Sequence, residues 1–224
     1  MDKEPVLIVA HGQPSDPEPA LAELAALAEQ VAGHLRRPVR AATLASGLPE
    51  HDGLVFPMFM AGGWFTRVHL AQKLAGRGRI LEPFGCDPRV HELAVQIVTE
   101  SVGDLAGAEV LIAAHGSFKS PAPSAVARHL AARFGDAARS EAAFIDQDPR
   151  LADVSGFSSH AVCLPFFAAY GQHVAQDIPA ALTGFAGRIL PHLGADPRVP
   201  ALIAAAIAAG HSVCAQDCRY SPGR

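Results

Sequence analysis

The chain has 224 residues, half of them hydrophobic and only 18% charged, with a formal net charge of −4. Such a composition excludes a largely disordered chain, which would be poor in apolar side chains and rich in net charge. The scattered Lys and Arg speak against a nucleic-acid groove or a membrane-surface patch, so small molecules or proteins are the expected partners.

In chain order, the opening "MDKEPVLIVAHG" carries one short apolar run, Val6 to Ala10, before polar residues return. It reads as neither signal peptide nor membrane span, and a cytoplasmic protein is expected. Val6 to Ala10 is a continuous run rich in branched side chains, as in a strand buried on both faces of a parallel sheet. It ends in His11-Gly12. "PEPALAELAALAEQVAGHL" then shows helical spacing, with Leu21, Leu24, Leu27 and Val31 on one face and Pro near the start. Two further strands are read in "VRAATLA" and "LVFPMF", then a Gly-containing loop opening a helix. A fourth strand in "GRILEPFG" leads through Asp87-Pro88-Arg89 into a last helix.

The same order then recurs. "VLIVAHGQPSDP" from Val6 returns as "VLIAAHGSFKSP" from Val110, and "VFPMFMAGG" from Val55 as "CLPFFAAYG" from Cys163. "ILEPFGCDPRVHEL" from Ile80 returns as "ILPHLGADPRVPAL" from Ile189. An ordered internal repeat of alternating strands and helices predicts two similar α/β halves, each a parallel sheet flanked by helices. The expected division is residues 1–104 and 105–224, with a tail from residue 211. Ligands of such sheets bind at the carboxyl ends of the strands, so a cleft between the two halves is the expected binding place.

His115 ends the first strand of the second half, and His173 lies in the loop after its third strand. Two imidazoles converging on one sheet edge suit both metal ligation and proton acceptance. Asp177, four residues after His173, would stand one helical turn away and could orient that ring or take up a proton. Taken alone, a His-Gly after a buried strand is more often a turn requirement, and its recurrence in both halves fits that reading too. No G-x-x-x-x-G-K-[ST], G-x-G-x-x-G after a strand or G-x-S-x-G is present, so no nucleotide is expected. Ser117, beside His115, is a weak nucleophile candidate and a better helix cap. The four cysteines are expected as reduced thiols, although His211, Cys214 and Cys218 have a spacing that could share a tail metal.

The strand-His-Gly-Ser start at Val110 to Ser117, "AFIDQDP" at Ala143 to Pro149, and "LPFFAAYGQHVAQDIP" followed by "LPHLGADPRV" together resemble the class II chelatases, most closely the CbiX-type sirohydrochlorin chelatases. The family's "GGHxxxDIP" loop stands here as Gly171-Gln172-His173 running to Asp177-Ile178-Pro179. The resemblance implies two flavodoxin-like domains and insertion of Co²⁺, Fe²⁺ or Ni²⁺ into sirohydrochlorin or a related tetrapyrrole without ATP. By position it implies that His115 and His173 hold the metal and accept pyrrole protons, with Asp146 and Asp177 as the accompanying acids. Asp146 is one carbon shorter than the family's usual Glu. Phe166, Phe167, Trp64, Phe65, His11 and Ser117 would contact the ring.

The first half departs from the pattern, with Gln13 for Ser117, Phe65 for His173 and His69 for Asp177. Many two-domain members carry the reactive pair in the amino-terminal half, whereas here it would be carboxy-terminal. Beside the enzyme stand a non-catalytic tetrapyrrole or metal carrier and, more weakly, a hydrolase built on Ser117. A monomer or a homodimer is compatible with two fused halves.

Overall fold

The computed structural model describes residues 4–13, 17–214 and 218–220, so parts of the expected tail, residues 215–217 and 221–224, lie outside the described residues. In chain order the elements are β1 (Val6–Ala10), α1 (Pro17–Leu35), β2 (Val39–Thr43), β3 (Leu54–Pro57), α2 (Leu70–Lys73), β4 (Arg79–Ile80) and α3 (Pro88–Val102). They continue with β5 (Glu109–Ala114), α4 (Ala122–Ala132), β6 (Arg139–Phe144), β7 (Val162–Pro165), α5 (Ile178–Ala181), β8 (Arg188–Ile189) and α6 (Val199–Ala209). Among the described residues no helix is long and apolar enough to cross a membrane.

The strands form two separate four-stranded sheets of order β2-β1-β3-β4 and β6-β5-β7-β8. All strand pairs are parallel, with Val6 opposite Val39 and Leu54 in the first sheet and Val110 opposite Ser140 and Val162 in the second. Strands β1, β3 and β7 are buried along their whole length, as the unbroken apolar runs predict. Each aliphatic side chain so placed contributes about 1.5–3 kcal/mol relative to exposure. Leu7, Val9, Val55 and Leu70 form one core cluster, and Leu111, Ala113, Cys163 and Ile178 form its counterpart. On α1 the buried positions are Leu24, Ala28 and Val31, so the buried stripe lies slightly to one side of the expected one: Ala28 takes part in it and Leu21 and Leu27 sit at its margin.

The compact units differ from the expected halves. One consists of Met1–Asp87 with Pro197–Arg219, the other of Pro88–Asp196 with Tyr220–Arg224. The boundary at 104/105 marks the repeat, but the closing helix of each repeat packs in the other unit. In the first unit α6 lies against α1, and the Arg79 guanidinium donates to the Gly210 carbonyl at its end, 2.6 Å away. In the second, α3 lies against β7, and Arg188, the repeat equivalent of Arg79, donates to Ser101 O at the end of α3, 2.9 Å away. Both helices bury an apolar stripe, which the sequence shows without showing which sheet receives it.

Gly210 ends α6 in a left-handed conformation, φ 66°, and the chain returns along β4. Ser212 bridges Leu81 in antiparallel fashion, and Glu82 N donates to His211 O and Val213 N to Ile80 O. An otherwise open sheet edge is thereby covered. Beyond it the Cys218 and Cys86 sulfurs lie 3.8 Å apart in the interior of the first unit. Contact with Cys218 and burial push the Cys86 thiol well up. Cys218, expected to share a tail metal with His211 and Cys214, thus has Cys86 as a thiol neighbour, and among the described residues no group of three or more possible ligands is found there.

Candidate functional site

In the second unit two turns leave the carboxyl ends of adjacent strands β5 and β7. Because β6 lies on the far side of β5, this is the point where the strand order reverses, the usual ligand position in an open α/β sheet. The turn after β5 holds His115 and Gly116. Gly116 has φ +74°, and a Cβ there would stand 2.7 Å from Gln147 Cγ and 2.9 Å from Phe144 Cβ. The turn after β1 has the same constraint: Gly12 has φ +72°, and a Cβ would stand 2.7 Å from Thr43. Backbone geometry alone therefore accounts for the glycine in both His-Gly pairs.

After β7 the chain enters a π-helical turn, His173–Asp177, closed by Ile178 N donating to His173 O, and it continues directly into α5. The first unit has the same device at Phe65–His69, closed by Leu70 N donating to Phe65 O. Such π-turns occur mostly singly and often at functional sites. They escaped the sequence reading because i, i+4 spacing looks alike in α and π turns.

The two turns bring His115 and His173 together with ring centroids 4.6 Å apart, nearly perpendicular at 88°. Both side chains are 43% exposed, so the pair faces solvent rather than core. His173 Nδ1 lies 2.6 Å from Asp177 Oδ2. A carboxylate can only accept, so Nδ1 carries a hydrogen and Nε2 is the ring nitrogen turned away from the acid. His115 Nδ1 lies 3.0 Å from the Gly116 carbonyl oxygen, again only an acceptor, and 3.6 Å from Asp146 Oδ2. Both imidazoles are thus oriented by an oxygen at Nδ1, which leaves Nε2 as the nitrogen for a ligand, the usual preparation of a histidine ligand by an outer partner. Among the described residues no group of three or more His, Cys, Asp or Glu is arranged to hold a metal ion. Two imidazoles with the carboxylates behind them make an open site with positions to spare.

The structure therefore brings together His115, His173, Asp146 and Asp177. Phe167 joins them at 6.1 Å from the His173 ring. Phe166 is corrected: successive side chains of an extended segment point to opposite faces, so Phe166 is fully buried with its ring 6.0 Å from His91. Ser117 is corrected as a cap and is no partner of His115. Its Oγ accepts from Lys119 N within the turn, while the first residue before α4 is Pro121, with no side-chain cap. Gln147, which sequence reasoning missed, accepts from Ser117 N at 2.8 Å and ties the His115 turn to the Asp146 loop.

In the first unit the matching positions make an aromatic group. His11 lies edge-on to Phe65 at 4.4 Å and 5.5 Å from Phe59. Trp64 stacks on His69 at 5.2 Å and 24°. Trp64 and Phe65 are 52% and 41% exposed, which is unusual for such large apolar side chains standing side by side.

Two parallel α/β units with a carboxylate-backed imidazole pair at a sheet switch point define a chelatase-like class of protein. The CbiX family profile matches residues 109–209. A solved structure, described as CbiX, the terminal enzyme for biosynthesis of siroheme in denitrifying bacteria, is 44% identical, with a TM-score of 0.86 over 93% of this chain and 100% of that one. The chain belongs to the CbiX family. SirB from Bacillus subtilis, described with Fe³⁺, shares the fold at 16% identity and a TM-score of 0.66, covering 92% of this chain and 94% of its own. A multi-domain protein of Deinococcus radiodurans, described as structurally similar to chelatases, shares it at 20% identity and a TM-score of 0.63, over 92% of this chain and 54% of that one. No curated protein matches the chain significantly.

Proposed function

We propose that the protein is a chelatase that inserts a divalent metal ion into sirohydrochlorin, with metal handling on the second unit. The observation that carries this is the His115–His173 pair at 4.6 Å, each ring held by a carboxylate or carbonyl so that its Nε2 is free. Insertion needs an ion that has lost part of its water shell and is held weakly enough to be passed on. It also needs bases for the protons leaving the pyrrole nitrogens. Two imidazoles that offer Nε2 meet both needs. As a ring proton arrives, Asp177 and Asp146 stabilise the imidazolium on His173 and His115 through the Nδ1 side.

Fe²⁺ is the first metal to test, because the 44% identical relative is described as the terminal enzyme of siroheme biosynthesis. Co²⁺ and Ni²⁺ follow as alternatives. Phe167 and, in the first unit, Trp64, Phe65 and His11 offer aromatic contact to a flat macrocycle. The reaction would run in the cytoplasm on a small-molecule substrate, with the protein as a monomer or homodimer.

Purified protein mixed with Fe²⁺ and sirohydrochlorin under anoxic conditions should change the visible spectrum of the ring faster than the spontaneous reaction. Ring binding with no acceleration by any of the three metals would make the protein a carrier instead. If His115→Ala and His173→Ala both keep the wild-type rate, the assignment of the pair is lost.

A further inference from the structure

Beside the imidazole pair, the second unit presents two side chains that metal insertion does not use. Phe118 follows His115-Gly116-Ser117 on the turn after β5 and is 75% exposed. A single exposed apolar residue is ordinary. This one, however, lies beneath a guanidinium, with Arg150 Cζ 5.2 Å from the ring centroid.

Arg150 belongs to the loop after β6, which also carries Asp146, and that loop is clasped to the site at several points. Gln147 accepts from Ser117 N at 2.8 Å, Asp146 N donates to His115 O at 2.9 Å, and Arg128 donates to Asp148 O at 3.2 Å. Arg150 itself donates one N–H to Ile145 O at 2.6 Å. Its nearest carboxylate, Asp148, is beyond hydrogen-bond reach at 3.8 Å and is itself 91% exposed. Apart from that ion pair of Nε with Asp148, the fork makes no further hydrogen bond among the described residues, and Lys119 adds a second cation on the His115 turn.

The sign of the local charge gives the arrangement a purpose. Asp146 and Asp177 suit an incoming cation, but they repel a substrate ringed by acetate and propionate arms. A planar cation on the same rim offsets that repulsion and matches carboxylate geometry with two parallel N–H donors. The duplicated scaffold supplies a control. Strand register and the hydrogen bonds Leu44 N to Ala10 O and Ile145 N to Ala114 O align the starts of the two loops, and they set Ala45 against Asp146. The acids that such a cation offsets, Asp146 and Asp177, stand as Ala45 and His69 in the half without the imidazole pair.

We propose that Arg150, seated on Phe118, is a specificity-determining residue that recognises a carboxylate arm of the tetrapyrrole while Phe118 contacts its ring. This rests on the chelatase reading for the identity of the ring, and its test does not require turnover. Ring fluorescence quenching would measure the affinity of the full chain for sirohydrochlorin and for its fully methyl-esterified form in the same dilute detergent. Arg150→Gln is expected to weaken binding of the free acid about tenfold, the scale of one charge-assisted hydrogen bond, and to leave the ester unchanged. Arg150→Lys should recover part of the loss, and Phe118→Ala should weaken both forms alike. In turnover, Arg150→Gln should raise KM for the ring and leave kcat and KM for the metal near wild type. Equal affinity of wild type and Arg150→Gln for the free acid would overturn the proposal, as would an equal loss for acid and ester, which would mark Arg150 as a mere prop of its loop. Wild-type protein that shows the acid-specific effect but inserts no metal would instead overturn the chelatase reading and keep this one. Protein that binds neither ring form would overturn both.

Discussion

His11-Phe65-His69 in the first unit and His115-His173-Asp177 in the second occupy the same backbone: a strand, a left-handed glycine, and a π-helical turn after the neighbouring strand. In the second unit both imidazoles of the pair have an oxygen at Nδ1. In the first, rings pack on rings, His11 against Phe65 and His69 against Trp64. The duplication thus preserved a scaffold rather than a chemistry. What steric necessity maintains is the glycine, whereas the acids beside the second unit's imidazoles, Asp146 and Asp177, stand as Ala45 and His69 in the other copy.

That contrast can be broken most severely at the two equivalent positions 173 and 65. His173→Ala should lower kcat for metal insertion by about 100-fold or more, the usual scale for a lost general base. Phe65→Ala should act on ring affinity and leave the chemical step largely intact. A kcat loss of the same size in both variants would mean that the units share the chemistry. Next in size is Asp177→Asn, which keeps a partner at His173 but removes its charge. A fall of about 10- to 100-fold in kcat, with little change in thermal midpoint, is expected from an outer partner of a ligand histidine. His69→Asn, at the matching place, should barely alter kcat. Trp64→Ala should cost several-fold in ring affinity, about 1 kcal/mol for a lost aromatic contact, and leave metal affinity unaltered in a direct titration.

The smallest effect concerns stability. His192 and Pro83 begin equivalent 3₁₀ turns, each at the residue before the turn with φ −64°. Burial holds the His192 imidazole below its ordinary value of 6.5. As pH falls the unfolded chain therefore takes up its proton first, and the folded state loses stability below about pH 6.5, the ordinary histidine value. His129 is lowered for the same reason and adds to the slope. Denaturant unfolding of His192→Gln at pH 7.5 and 5.5 should show a smaller difference than wild type, by less than about 1 kcal/mol. An unchanged difference would show that His192 does not titrate in that window.

Much of this was legible in the sequence because buried parallel strands leave so plain a signature. Val6 to Ala10 and Val110 to Ala114 read as strands, and the recurring His-Gly and Pro-Phe segments gave the order of the repeat. Side-chain periodicity, however, says only that a helix has an apolar stripe. It does not say which sheet receives it, so the exchange of α3 and α6 between units was invisible, although Arg79 and Arg188 make equivalent contacts to their ends. Residues 115, 146, 173 and 177 come from three separate strand ends, and only the topology explains why they meet. Phe166 and Phe167 show the finest limit: neighbours in sequence, one lies in the core and the other beside His173.

The central claim is positional, that the incoming metal meets the second unit's imidazole pair. Titrating ¹⁵N-histidine-labelled protein with substoichiometric Co²⁺ and following the ring nitrogens by NMR tests it most directly. Signals of His115 and His173, assigned by single His→Gln variants, should broaden first and together, while those of His11 and His69 persist. Early loss of the His11 and His69 signals, with His115 and His173 unaffected, would contradict the account.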